Sequence, residues 1–245
     1  MDLNLQGKKV VVAGASSGIG FAVARTFVQE GAQVFVCSSH ADKLEMAANQ
    51  MGAAAFVPLD LDQPGNGTEL IRLTKQTLGG IDVLVTNTGG PKAGWFQGLT
   101  LEDWNAGFHR LWMSAVESIR EVLPLMREQK SGRIIILTSV SAKEPIAGLT
   151  LSNSYRAGLL GLMKSISREV AADQVTVNAI LPGYTKTERL AELGVDEKVL
   201  TAQIPAKRLG HPEEIGALAV FLASSQAAYI NGQAIACDGG YMHSY

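Results

Sequence analysis

Cysteine is scarce: Cys37 and Cys237 are the 2 thiols in 245 residues, far apart and outside any Cys-x-x-Cys pair. That excludes a disulfide-stapled secreted scaffold and makes a reducing cytoplasm the expected compartment. A cationic surplus is also missing, since 21 Lys+Arg stand against 23 Asp+Glu, for a formal net charge of −2. Neutralising a long nucleic acid requires excess positive charge, so nucleic-acid partners are set aside. Met1-Asp2-Leu3-Asn4 opens neither a basic nor an apolar leader, and the apolar runs are strand-sized, so no membrane partner is expected. The histidines His40, His109, His211 and His243 are scattered without ligand spacing, so no metal is expected. Linker-like, low-complexity and repeated segments are absent as well, and the expectation is one domain over residues 1–245.

What the chain does contain is 47% hydrophobic residues arranged in alternating short apolar runs and amphipathic stretches. Continuous runs at Val10 to Ala13, Val34 to Val36, Val83 to Val85, Ile134 to Leu137 and Val175 to Ile180 suit parallel strands covered on both faces, with a further strand near Ala54 to Val57. Helical periodicity fills Ile19 to Glu30, Ala41 to Gln50, Glu69 to Leu78, Glu102 to Met126, Leu151 to Ala172 and a stretch near Glu213 to Ala223. Regular β-α alternation predicts an α/β fold with one doubly wound parallel sheet. Tyr184 to Arg208 interrupts the alternation where such sheets bind ligands, so it reads equally as a substrate lid or a plain connection.

The first apolar run leads into Gly14-Ala15-Ser16-Ser17-Gly18-Ile19-Gly20 and then a helix. Gly14 lets the chain turn off the strand, Gly18 lets backbone approach a diphosphate, and Gly20 lets helix and sheet pack closely. The helix N-terminus supplies free N–H groups to the phosphates, with Ser16, Ser17 and Ile19 completing the turn. No Gly-Lys-Ser/Thr follows, which disfavours a P-loop nucleotidase. The second strand ends in Cys37-Ser38-Ser39-His40, without the carboxylate that takes an adenosine 2′-hydroxyl. Ser38, Ser39 and His40 can donate to a 2′-phosphate, although no Arg or Lys stands there. The cofactor is NADP or NAD, the balance tipping to NADP. Asp60, with Leu61 beside it, is a candidate for the adenine.

These pieces lie in order with several others: Thr86-Asn87-Thr88-Gly89, Gly132-Arg133-Ile134 leading to Ser139, Val177-Asn178, Pro182-Gly183, Arg208-x-Gly210-x-Pro212-Glu213-Glu214 and Asp238-Gly239-Gly240. Over nearly its whole length the chain resembles the short-chain dehydrogenase/reductase family, and within it the 3-oxoacyl carrier protein reductases. The resemblance implies a Rossmann-type fold, NAD(P)(H), hydride transfer to or from a carbonyl of a small-molecule substrate, and a homo-oligomer (tetramer or dimer). It places Asn87 behind the cofactor turn and Pro182, Gly183, Thr185 and Thr187 around the nicotinamide.

The catalytic positions carry over unevenly. The family's carbonyl-binding serine falls on Ser139. Its acid/base tyrosine falls on Ser152, its lysine on Arg156 and its helix asparagine on Leu111. A phenol with pKa about 10 can protonate an alkoxide, whereas an aliphatic hydroxyl is a far poorer acid. Arg156 can hold ribose hydroxyls but is a poor proton relay. The expectation is therefore an oxidoreductase with an altered catalytic set of Ser139, Ser152 and Arg156. The alternative is a catalytically impaired dinucleotide-binding sensor or partner subunit. Tyr155, Tyr184, Lys92 and Lys143 are candidate substitutes for the missing acid, each balanced by an ordinary packing or solvated role. Gly89-Gly90-Pro91-Lys92-Ala93-Gly94-Trp95-Phe96 is read as a pocket wall, and the broad apolar face around Trp104, Phe108 and Trp112 as part of a subunit interface.

Overall fold

A computed structural model of the chain describes residues 2–188, 190 and 196–244. Seven strands form one sheet in the order β3-β2-β1-β4-β5-β6-β7. They are β1 Lys9–Val12, β2 Gln33–Ser38, β3 Ala55–Pro58, β4 Val83–Thr86, β5 Gly132–Leu137, β6 Val175–Pro182 and β7 Ala234–Cys237. Every pairing is parallel, for example Val10 with Val34 on one side and with Val83 on the other. The order reverses between β1 and β4, and the crevice at such a reversal is where open α/β sheets bind ligands.

Strand residues alternate between two apolar layers because successive side chains leave opposite faces. Val10, Val12, Val34 and Val36 pack with Val23 and Phe27 of α1 (Gly18–Gln29) and Leu44 of α2 (Ala41–Met51). Val11, Phe35, Leu84 and Ile134 meet Leu70 of α3 (Asn66–Leu78), with Ile119 and Leu159 from elements described below. Residues buried on both faces explain why these strands read as unbroken apolar runs.

Two expectations need correction. The stretch Glu102 to Met126 is not one helix: α4 (Leu101–Gly107) passes through a π-helical segment, Phe108–Met113, into α5 (Ser114–Glu128). The π-helical segment is only a little longer than one turn, too short to interrupt the broad apolar spread of the flanking helices. The seventh strand was not anticipated, because Ala234–Cys237 is short, lies at the sheet edge and is only partly buried. Further α-helices among the described residues are α6 (Thr150–Val170), α7 (Glu197–Gln203) and α8 (Pro212–Ala223). Of the stretch Tyr184 to Arg208, read as a lid or a plain connection, residues 189 and 191–195 lie outside the described residues. Among the described residues no helix is long and apolar enough to cross a membrane, and no cluster of metal-binding side chains occurs.

Candidate functional site

β1 ends against the turn that opens α1. Ala13 N–H donates to the Val85 carbonyl and Ala15 N–H to the Cys37 carbonyl, both at 3.1 Å, so the turn is tied to both neighbouring strands. Gly14 has φ +60°, which a side chain adopts only with strain. A Cβ on Gly20 would stand 2.1 Å from the Gly14 carbonyl oxygen, so no other residue fits there without moving backbone. Asn87, at the exit of β4, donates from Nδ2 to the Gly14 carbonyl at 3.0 Å and to that of Ala13 at 3.3 Å. Ser17, the residue capping α1, makes no side-chain bond to the helix, and the first turn holds no acid. The opening N–H groups thus keep their capacity for an anion, which suits a dinucleotide diphosphate.

Two clefts adjoin at Gly14 and Asn87–Gly90. One, of about 300 Å³, is lined by Ser38, Ser39, His40, Asp60, Leu61 and Arg110. Ser16 Oγ lies 2.9 Å from Ser38 Oγ, and Ser39 Oγ lies 3.1 Å from His40 Nδ1. Asp60 accepts from the Asp62 N–H, while Asp62 is paired with Arg110. Arg110 also donates to the Gly90 carbonyl at 3.1 Å, so it joins the loops after β3 and β4 from the π-helical segment. Sequence reasoning missed Arg110; its place beside Leu111 was the available clue.

The second cleft, of about 320 Å³, runs past Gly18, Ile19 and Ser17 to Ser139, Arg156, Pro182, Gly183, Thr185 and Thr187. Ser139, at the exit of β5, accepts the Ser141 N–H at 3.2 Å, which leaves its own O–H available to the cleft. Ser152 is 8% exposed and turned into the protein. It accepts from Arg156 Nε at 3.1 Å and lies 3.3 Å from Ser141 Oγ. Arg156 also donates from Nη1 to the Thr138 carbonyl at 2.6 Å. Burial pushes its guanidinium down to about 10, a pKa that still leaves it charged at neutral pH. Behind it lies a gap of about 10 Å³, at the lower limit for one water, bordered by Leu111, Leu137 and Leu159 together with Asn87, Thr88 and Ser114.

Three of the candidate substitute acids have identified partners. Tyr155 donates to the Trp104 carbonyl at 2.9 Å and packs edge-on against Trp104. Tyr184 borders the cleft, but burial and then its bond with Tyr241 push its phenol up to about 12. Lys92 is paired with Asp103 at 2.8 Å. Trp95 and Phe96 are 70% and 68% exposed and do not line the cleft, contrary to the pocket-wall expectation. Gly89 and Gly90 from the same loop do.

A family model described as Enoyl-(Acyl carrier protein) reductase matches residues 14–242. A 3-oxoacyl-[acyl-carrier-protein] reductase of Vibrio cholerae is 33% identical, over 97% of this chain and 98% of its own. Among solved structures, L-sorbose reductase from Gluconobacter frateurii, complexed with NADPH and L-sorbose, superposes with a TM-score of 0.94 at 31% identity, covering 100% of both chains. YwfH, an NADPH dependent reductase involved in bacilysin biosynthesis, gives a TM-score of 0.93 at 30% identity, covering 98% of this chain and 100% of its own.

Proposed function

The chain belongs to the short-chain dehydrogenase/reductase family, and on that footing we propose that it moves hydride between a nicotinamide cofactor and a carbonyl or alcohol carbon with an altered catalytic set. The observation that carries this reading is the coexistence of a complete diphosphate cradle with a free Ser139 hydroxyl and a charged Arg156 on one cleft.

Gly14, Ser17, Gly18, Ile19 and Gly20 would hold the diphosphate, with Ser16 bracing Ser38. Ser38, Ser39, His40, Asp60 and Leu61 would hold the adenosine end, where the missing carboxylate favours NADP over NAD. Pro182, Gly183, Thr185 and Thr187 would flank the nicotinamide, which when bound supplies the hydride. Ser139 donates to the carbonyl oxygen, and the Arg156 charge stabilises the oxyanion that develops there. Ser152 orients Arg156 rather than meeting substrate. With Tyr155 bonded elsewhere and Tyr184 raised, water entering the open cleft delivers the proton. A panel of carbonyl compounds with NADPH and NADH, followed by loss of reduced-nicotinamide absorbance, tests this. Turnover of some member is the expected result, and none at all counts against it.

The inward turn of Ser152 favours a second reading, a dinucleotide-binding sensor or partner subunit without hydride transfer. Tight NADPH binding, no turnover, and activity gained by the double variant Ser152→Tyr/Arg156→Lys would select it. A homo-oligomer, tetramer or dimer, belongs to either reading. Its support is an apolar groove of about 450 Å³ between α5 and α6, lined by Val116, Leu123, Pro124 and Leu162. Two free cysteines accord with a reducing cytoplasm.

A further inference from the structure

Arg156 is a part-buried cation on the wall of this cleft, and its described hydrogen-bond partners are all neutral. Its Nε meets the Ser152 hydroxyl and its Nη1 the Thr138 carbonyl. Among the described residues lining that cleft, the only carboxylate is Glu188, which stands exposed and 4.0 Å from Lys43. A desolvated charge is costly unless an opposite charge meets it. A guanidinium carries five N–H donors, and three remain here after the two bonds to protein. Those three exceed what ribose hydroxyls alone require and suit the paired oxygens of a carboxylate.

Geometry adds a second point. Arg156 is fastened to the carbonyl of Thr138, the residue before Ser139, and both Arg156 and Ser139 line the cleft. Ser139 offers one hydrogen to a carbonyl oxygen while Arg156 faces the neighbouring group. Resting on the oxidoreductase reading, the geometry points to a substrate that is a short oxo acid, with its reacting carbonyl on Ser139 and its carboxylate, one or two carbons away, on Arg156. In the reductive direction the carbonyl carbon accepts a hydride from the reduced nicotinamide and the carbonyl oxygen a proton from water. The products are the hydroxy acid and oxidised nicotinamide.

The test compares acids with their neutral esters on the cofactor-loaded full chain: pyruvate against methyl pyruvate, and acetoacetate against methyl acetoacetate. One acid is expected to exceed its ester in kcat/KM by at least about tenfold, the size of a charge-assisted hydrogen bond. In Arg156→Lys, which keeps the charge but loses the planar fork, that ratio is expected to collapse toward one. Esters reduced as well as acids, or a ratio unmoved by the substitution, would overturn the assignment. Calorimetric titration of oxamate and malonate into NADP-loaded protein decides the matter without turnover. Binding of at least one of them that weakens about tenfold in Arg156→Lys supports the carboxylate site, and no binding of either overturns it. If these anions bind while every carbonyl compound stays unreduced, the redox reading fails and the anion site stands.

Discussion

The two ends of the ligand crevice are built from different materials. At the end proposed for the diphosphate the groups on offer come from backbone: an uncapped helix start, a left-handed Gly14 and a Gly20 with no room for a Cβ. At the carbonyl end they come from side chains, with Ser139 on the β5 exit and Ser152 and Arg156 one turn apart on α6. A backbone site is fixed by the steric course of the chain, so a single substitution either leaves it alone or wrecks it. A side-chain site can be changed residue by residue on an unmoved scaffold. Ser152 and Arg156 illustrate this, since they satisfy each other across one helical turn while β5, β6 and their register continue undisturbed.

The contrast can be broken from either end. Ser139→Ala removes the hydroxyl proposed to meet the carbonyl, so kcat is expected to fall by about 10²–10³. Dinucleotide affinity, measured by calorimetry, should stay within about twofold, because no phosphate contact is touched. A matching loss of affinity would show that the ends are not separable. Gly20→Ala should do the reverse. Its Cβ would press on the Gly14 carbonyl and on Asn87 Nδ2, at 2.1 and 2.7 Å. We expect NADPH binding to weaken by about a hundredfold or more while far-ultraviolet circular dichroism keeps its wild-type form. Wild-type affinity in a folded Gly20→Ala protein would end the claim that backbone makes this site.

The same contrast explains what was legible in the sequence. The glycine turn could be read because only glycine meets its φ and spacing demands, and the central strands because burial on both faces leaves continuous apolar runs. The partners of Arg156 could not be read: a serine on the same helix was visible, but the Thr138 carbonyl is a backbone atom supplied by tertiary packing. Arg110 went unnoticed because its partners, Asp62 and the Gly90 carbonyl, come from loops far away in sequence. The π-helical turn that holds Arg110 left no mark on the apolar pattern. Trp95 and Phe96 misled for a related reason, since position after β4 predicts the right loop but not which way its tip faces.

A change of pH acts chiefly at the side-chain end. Burial holds the Arg156 pKa in the folded protein at about 10, well below its ordinary value. Between those values the unfolded chain binds more protons, so this group's contribution to stability rises with pH, and below about 10 its full cost is present. Catalysis runs the other way if the cation is needed, because activity is lost as pH rises through about 10. The expected kcat profile has an alkaline limb there, falling about tenfold per pH unit, with dinucleotide binding much less affected. A carboxylate on Arg156 favours its charged form and should move the limb upward in the saturated enzyme. A limb that ignores bound anion would separate the guanidinium from the reaction.

The smallest expected effect is the sharpest probe of the diphosphate end. Ser16 and Ser38 are two of the polar side chains near the proposed cofactor site, yet their hydroxyls lie 2.9 Å apart and partly satisfy each other. If backbone N–H groups carry the diphosphate, Ser16→Ala removes a single neutral hydrogen bond worth about 1 kcal/mol. NADH and NADPH affinities should then fall equally, by about fivefold at most. A larger loss confined to NADPH would mean that Ser16 holds Ser38 in place for the 2′-phosphate. Recognition at this end would then split, with backbone binding the diphosphate and side chains choosing between the two dinucleotides. The carbonyl end's dependence on replaceable side chains would in that case extend to the far wall of the crevice.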